Sequence, residues 1–162
     1  MAEMFATSIP FPDIALRMVV AALAGAALGW EREKHRSAAG LRTHMLVTLA
    51  AAVFTIVTLE LAALSRGGGE TMQTDSLRIV EAVTAGVAFL AAGTIIFARG
   101  KVKGLTTGAG LWLSGAIGLA AGLGFWQVAA LATVLAIIVL GAMHVLEKKV
   151  GRIDGRDGPP DD

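Results

Sequence analysis

Apolar residues along this chain come in long runs, and polar residues come in short clusters between them. The runs lie at about Ile14–Trp30, Met45–Leu64, Ile79–Ala98, Leu105–Gly124 and Phe125–Leu146. A helix needs roughly 20 residues to cross a bilayer's hydrocarbon core at about 1.5 Å per residue. Four of the runs reach that length. The first is shorter, is interrupted by Arg17, and has Pro12 and Asp13 to begin it. The split between the last two rests on Gly122–Gln127, where glycine breaks the helix and Trp126 suits an interface. The pattern predicts an all-α polytopic transmembrane bundle of five spans.

Charge gives the bundle a direction. The clusters after the first and third runs carry Arg32, Lys34, Arg36 and Arg42, then Arg99, Lys101 and Lys103, and the C-terminal stretch carries Lys148, Lys149, Arg152 and Arg156. The cluster after the second run has Arg66 and Arg78, offset by Glu70 and Asp75, and the fourth has no basic residue. Eleven basic residues on one side against two on the other place the N-terminus outside and the C-terminus in the cytoplasm. Residues 1–13 then form a short extracytoplasmic segment, 14–147 the transmembrane domain and 148–162 a disordered cytoplasmic tail. The N-terminal segment is acidic, so it does not have the basic start of a signal peptide.

Composition fits the same class: 55% of the 162 residues are hydrophobic and 17% charged, too few charges to cover a soluble domain of this size. The chain has no cysteine, which excludes disulfides, thiolate zinc sites and cysteine nucleophiles. The lipid bilayer is the expected surrounding, and no nucleic-acid partner is expected.

Small residues recur every four positions in two runs. Ala21, Gly25 and Gly29 form one stripe, and Gly110, Ser114, Gly118 and Gly122 the other. Such stripes let helix backbones approach closely. They fit packing within one chain or the seam of a homo-oligomer. Trp112 is expected to fill a gap beside the second stripe.

Two polar clusters stand out, because a charge at the centre of the hydrocarbon costs about 2.5–3.5 kcal/mol. The outer one gathers Arg17, Glu60, Asp75, Arg78 and Glu81. The last three are spaced by three and share a helix face. Asp75 serves either as a helix cap or as part of a shared polar site. The inner one gathers Glu31, Arg32, Arg42, Thr43, His44, Thr106 and Thr107. Thr43 is a candidate N-cap for the second span, and Thr106 or Thr107 for the fourth. Two helix N-termini then face one side with Arg42 and His44, a field that can hold a phosphate-like anion or Glu31 or Glu33 of the same chain. Arg42 and Glu31 are candidates for a bidentate pair.

Three segments in series carry a resemblance: "LGWEREKHRSAAGLRTHML", "DSLRIVEAVTAGVAFLAAGTII" and "VKGLTTGAGLWLSGAIGLAAGLG". They resemble the membrane domain of the MgtC/SapB family over about Leu16–Leu140. The family's motifs match Gly29, Glu31 and Arg32; Gly40, Leu41, Arg42, Thr43 and His44; Asp75 and Arg78; and Gly104, Leu105, Thr106, Thr107 and Trp112. The family's glycine-rich motif in the third span appears as "AFLAAG", Ala88–Gly93, with two glycines replaced by alanine. The resemblance implies a bacterial inner-membrane protein linked to magnesium limitation. It implies a regulator more than a pump, with the membrane ATP synthase as a partner. Many members carry a C-terminal ACT-like domain, which this sequence does not show.

The leading expectation is a non-enzymatic regulator of magnesium or ion homeostasis. The alternative is a transporter or channel for Mg²⁺ or another ion. Mg²⁺ requires oxygen ligands in near-octahedral order, and the acids available lie towards the ends of the spans. No cofactor is required by the residues, and Mg²⁺ is the candidate ion. An enzyme is the weakest reading, since no nucleophile–base arrangement is evident.

Overall fold

The computed structural model describes residues 7–35, 37–66, 76–98 and 101–154. It contains α1 (Phe11–Lys34), α2 (Leu41–Arg66), α3 (Ser76–Ala92), a hairpin of β1 (Ile96–Ala98) and β2 (Lys101–Lys103), α4 (Leu105–Leu123) and α5 (Trp126–Asp154). The expected all-α polytopic bundle is what forms. Four of its helices, α1, α2, α4 and α5, are long and apolar enough to span a membrane.

The third expected span is the exception. It was to run to Ala98, but α3 ends at Ala92 after 17 residues, about 26 Å of helix. Gly93 and Thr94 turn the chain, and the Thr94 hydroxyl donates to the Ala91 carbonyl at 2.7 Å. Ile96–Ala98 then pairs antiparallel with Lys101–Lys103. A second difference lies at the C-terminal end, where α5 stays helical to Asp154, past the expected tail boundary at 148. Residues 155–162 lie outside the described residues.

α1 begins as its sequence requires. Pro12 sits in the first turn, where its missing N–H costs nothing, and Asp13 faces the positive end of the helix dipole. α4 ends at Gly124, whose φ of +81° is a left-handed conformation that favours glycine. Gly104, which precedes α4, has φ +88°, and a Cβ there would collide with the Thr94 carbonyl.

α1, α2 and α4 form the centre of the bundle, and the two small-residue stripes are its seams. A Cβ on Gly25 would strike Thr48 and the backbone of His44 and Met45; one on Gly29 would strike Leu41. From the other side, Gly118 meets the Thr48 carbonyl and Ala51, and Gly122 meets Thr55 and Ala52. Both stripes therefore pack on α2 within one chain. α3 packs on α4, with Val87 against Gly115, and α5 completes the bundle beside α1 and α4. Trp112 departs from expectation: it is 51% exposed and faces away from the seam that Gly110, Ser114 and Gly118 make.

Candidate functional site

The last turn of α1, the first turns of α2 and the first half of α4 meet at one end of the bundle. Arg32 of α1 donates through Nη2 to the Thr107 hydroxyl of α4 at 3.1 Å. Thr107 is buried. One turn further into the bundle, His44 of α2 is 1% exposed. Its Nδ1 lies 2.7 Å from Ser114 Oγ, which is itself 2.9 Å from the Gly110 carbonyl. Ser114 has a single proton, so when it donates to Gly110 the ring must donate to Ser114. Among the described residues, Nε2 of His44 is buried without a hydrogen-bond partner. The Arg32 guanidinium is near enough to act electrostatically on the ring.

Glycine makes this arrangement possible. Gly110 lies under the imidazole, where a Cβ would sit 3.4 Å from Cε1. Gly25 and Gly118 bring α1 and α4 onto Thr48, one turn beyond His44. Thr48 and Thr55 are buried on this side of α2, and each donates to a carbonyl of its own helix. That pattern satisfies a hydroxyl inside an apolar span.

The remaining inner residues separate from this centre. Glu31 pairs along its own helix, 3.1 Å from His35 Nε2 and 3.8 Å from Lys34 Nζ. The expected Arg42–Glu31 pair is not formed: Arg42 is exposed, and the described contacts of Glu31 are to Lys34 and His35 at the end of α1. Thr43 is not a cap. α2 starts two residues earlier, at Leu41, whose N–H donates to Glu33 Oε2 at 2.8 Å. A Cβ on Gly40 would fall on the same carboxylate. The N-terminus of α2 is thus closed by an acid of the chain itself, one of the two alternatives the residues had left open. Neither Thr106 nor Thr107 caps α4, whose N-cap is Gly104 with no side-chain bond. Thr106 is exposed.

Among the described outer residues, Glu60 and Arg17 are engaged by different segments. Both oxygens of Glu60 accept backbone N–H groups of the N-terminal segment, from Ser8 at 2.7 Å and Ile9 at 2.8 Å. Arg17 reaches across to α4, where its Nη1 donates to the Gly122 carbonyl at 2.7 Å. It thereby satisfies a carbonyl at the helix C-terminus, where a cation is favoured. Arg78 and Glu81 are exposed on α3. Asp75 lies outside the described residues.

Among the described residues no three His, Asp or Glu side chains gather as a metal ion would require. Glu31, Glu33 and Glu60 are each engaged in a different place, so they do not fit a shared Mg²⁺ site.

Sequence reasoning did not assign polar roles to Thr48, Thr55 or Ser114. A signal was present in the spacing of His44, Thr48 and Thr55, which a helix sets on one face. Ser114 had been read only as a small packing residue.

Apolar helices of membrane length, a buried polar centre and seams built from small residues define a polytopic α-helical membrane protein. The chain belongs to the MgtC family, which it matches over residues 18–149. It is 38% identical over 144 residues to MgtC of Salmonella typhimurium (strain 14028s), covering 89% of this chain and 56% of that protein. It is 34% identical over 139 residues to YhiD of Escherichia coli (strain K12), which is named provisionally as a magnesium transporter. That match covers 83% of this chain and 62% of YhiD, so the chain spans about three fifths of that relative's length. SrpB of Synechococcus elongatus is 32% identical over 144 residues, covering 83% of this chain and 77% of SrpB. No solved structure matches.

Proposed function

We propose that this protein is a non-enzymatic regulator of magnesium homeostasis or membrane energetics in the bacterial inner membrane. In this reading the Arg32–Thr107 and His44–Ser114 pairs hold the inner end of the bundle in one arrangement. The exposed Arg42, Thr43 and Thr106 beside them meet another membrane protein, with the ATP synthase as the candidate that the family resemblance offers. The observation that carries the reading is the closeness of the seams. Gly25 and Gly118 bring two backbones against Thr48, so beyond His44 the described polar centre meets close-packed helix, while His44 itself borders a mostly apolar cavity. The two described cavities, of about 540 and 430 Å³, are lined almost wholly by apolar residues. Neither is lined by a carboxylate, the ligand that protein Mg²⁺ sites usually supply.

The orientation belongs to the same proposal, with the N-terminus outside and the inner centre at the cytoplasmic face. A reporter fused at Gly68 is expected to signal from outside the cytoplasm; a cytoplasmic signal would reverse the assignment. Transport is the second reading, favoured by the name of YhiD. The deciding measurement is uptake of labelled Mg²⁺ by liposomes holding the pure protein. No uptake above protein-free liposomes is expected, and saturable uptake would replace regulation by transport.

A further inference from the structure

The β1–β2 hairpin, which the sequence presented as the end of a span and a basic loop, has two unlike faces. Its register pairs Ile96 with Lys103, Phe97 with Val102 and Ala98 with Lys101. Side chains directly opposite each other in an antiparallel pair share a face, and successive residues alternate. One face therefore carries Phe97 and Val102. The other carries Lys101 and Lys103 together with Ile96. Phe97 is 73% and Val102 51% exposed, and both lysines are exposed. A lone two-stranded hairpin is marginal in water, and its apolar face needs a cover that the described bundle does not provide.

Position and charge indicate what covers it. α4 is long and apolar enough to cross the hydrocarbon and starts at Leu105, so the hairpin just before it falls near the hydrocarbon boundary. The hairpin leads directly into α4 through Gly104, against Thr94, at the end of the bundle where Arg32, Lys34 and Arg42 also lie. An apolar face backed by two lysines, at the depth where headgroups begin, complements an anionic lipid surface. Each basic residue near such a surface contributes about 1 kcal/mol.

We propose that the hairpin is an interfacial anchor for anionic phospholipid: Phe97 and Val102 enter the acyl boundary, and Lys101 and Lys103 hold headgroup phosphates. The contact fixes where α3 ends and α4 begins relative to the membrane surface. It does not depend on whether the protein regulates or transports.

The sequence contains no cysteine, so single cysteines introduced into the full chain can be labelled without background. A fluorophore on Val102→Cys is compared with one on Lys101→Cys, in vesicles of phosphatidylcholine with or without phosphatidylglycerol. Lipids brominated on the acyl chains are the quencher. Strong quenching is expected at position 102, several-fold weaker quenching at 101, and a larger contrast with phosphatidylglycerol present. In parallel, native mass spectrometry of Lys101→Glu/Lys103→Glu should show several-fold less retained phosphatidylglycerol than the unaltered chain. Retained phosphatidylcholine and the helical circular dichroism should be unchanged. Equal quenching at both positions, equal phosphatidylglycerol retention, or cross-linking of two chains through position 102 would overturn the anchor. The last result would assign the face to a second copy.

Discussion

The α1–α2–α4 centre and the α3 flank are built from similar amino acids and behave differently. At the centre, glycines place backbone against backbone, and His44, Thr48, Thr55, Thr107 and Ser114 are buried. At the flank, Phe89 and Leu90 are exposed, Gly86 has nothing within reach, and α2 and α3 diverge around an apolar groove. In water the flank would be a defect. In lipid both are tolerable, because acyl chains cover apolar side chains about as well as protein does. What lipid cannot do is hold a polar side chain in one orientation. That needs helices close enough for Arg32 to reach Thr107 and His44 to reach Ser114. The small-residue seams are thus the condition for the polar centre, and α3 is free of that demand.

Substitutions that add volume test this contrast most severely. A Cβ on Gly118 would meet the Thr48 carbonyl and sit 2.8 Å from Ala51 Cβ. Gly118→Val should destabilise by about 3 kcal/mol or more, through overpacking together with loss of the His44–Ser114 contact. The expected result is loss of the monodisperse peak in detergent chromatography. A Cβ on Gly86 would meet nothing within 4 Å, and Gly86→Val should match the unaltered protein within about 0.5 kcal/mol. Equal damage at the two positions would end the distinction.

The next effect belongs to the centre itself. Ser114→Ala leaves His44 Nδ1 buried without its partner, at a cost of about 1–3 kcal/mol. Thermal melts of Ser114→Ala, His44→Ala and the double variant should be clearly non-additive, the double variant losing much less than the two singles together. Additive losses would mean that the two side chains do not act as a pair.

A smaller loss is expected where the chain closes its own helix end. Glu33→Ala removes the acceptor of the Leu41 N–H and should cost about 1 kcal/mol in a melt, while Glu33→Gln keeps an acceptor and should lose less. Equal melts for the two variants would remove the cap.

Arg42→Ala sharpens the comparison from the functional side. Arg42 is exposed, so stability should change by less than about 0.5 kcal/mol. Complementation of growth in low magnesium should nevertheless fail, if this arginine meets a partner. Normal growth would take Arg42 out of the site.

Much of the architecture was legible in the sequence, because long apolar runs have few alternatives to membrane helices. The seams were legible as stripes, though only the structure shows that both face α2. The candidate centre was harder to read. Its motif, Gly40–His44, names residues without saying which way they point. Starting α2 at Leu41 turns Arg42 and His44 about 200° apart, one outward and one into the core. A start at Thr43 had left them as companions. Glu60 and Arg17 misled in another way. Both were charges near one end of the spans, yet each holds backbone of a different segment. Sequence spacing carries no information on such long-range partners. The hairpin was hidden because Ile95, Ile96 and Phe97 prolong an apolar run, although β-branched residues after Gly93–Thr94 suit a strand as well.

The crowding of α4 has a consequence for how the protein is made. It is by far the most buried of the four membrane-length helices, with 61% of its span inside the bundle. Emerging alone from the insertion machinery, it would meet lipid in place of the bundle. Its glycines would gain little from acyl chains, and Ser114 and Thr107 would have no interhelical partners there. α1 and α2 precede it in the chain and present the surfaces that receive it. α4 therefore gains more from assembly than from lipid alone, with earlier helices acting as the solvent for a later one.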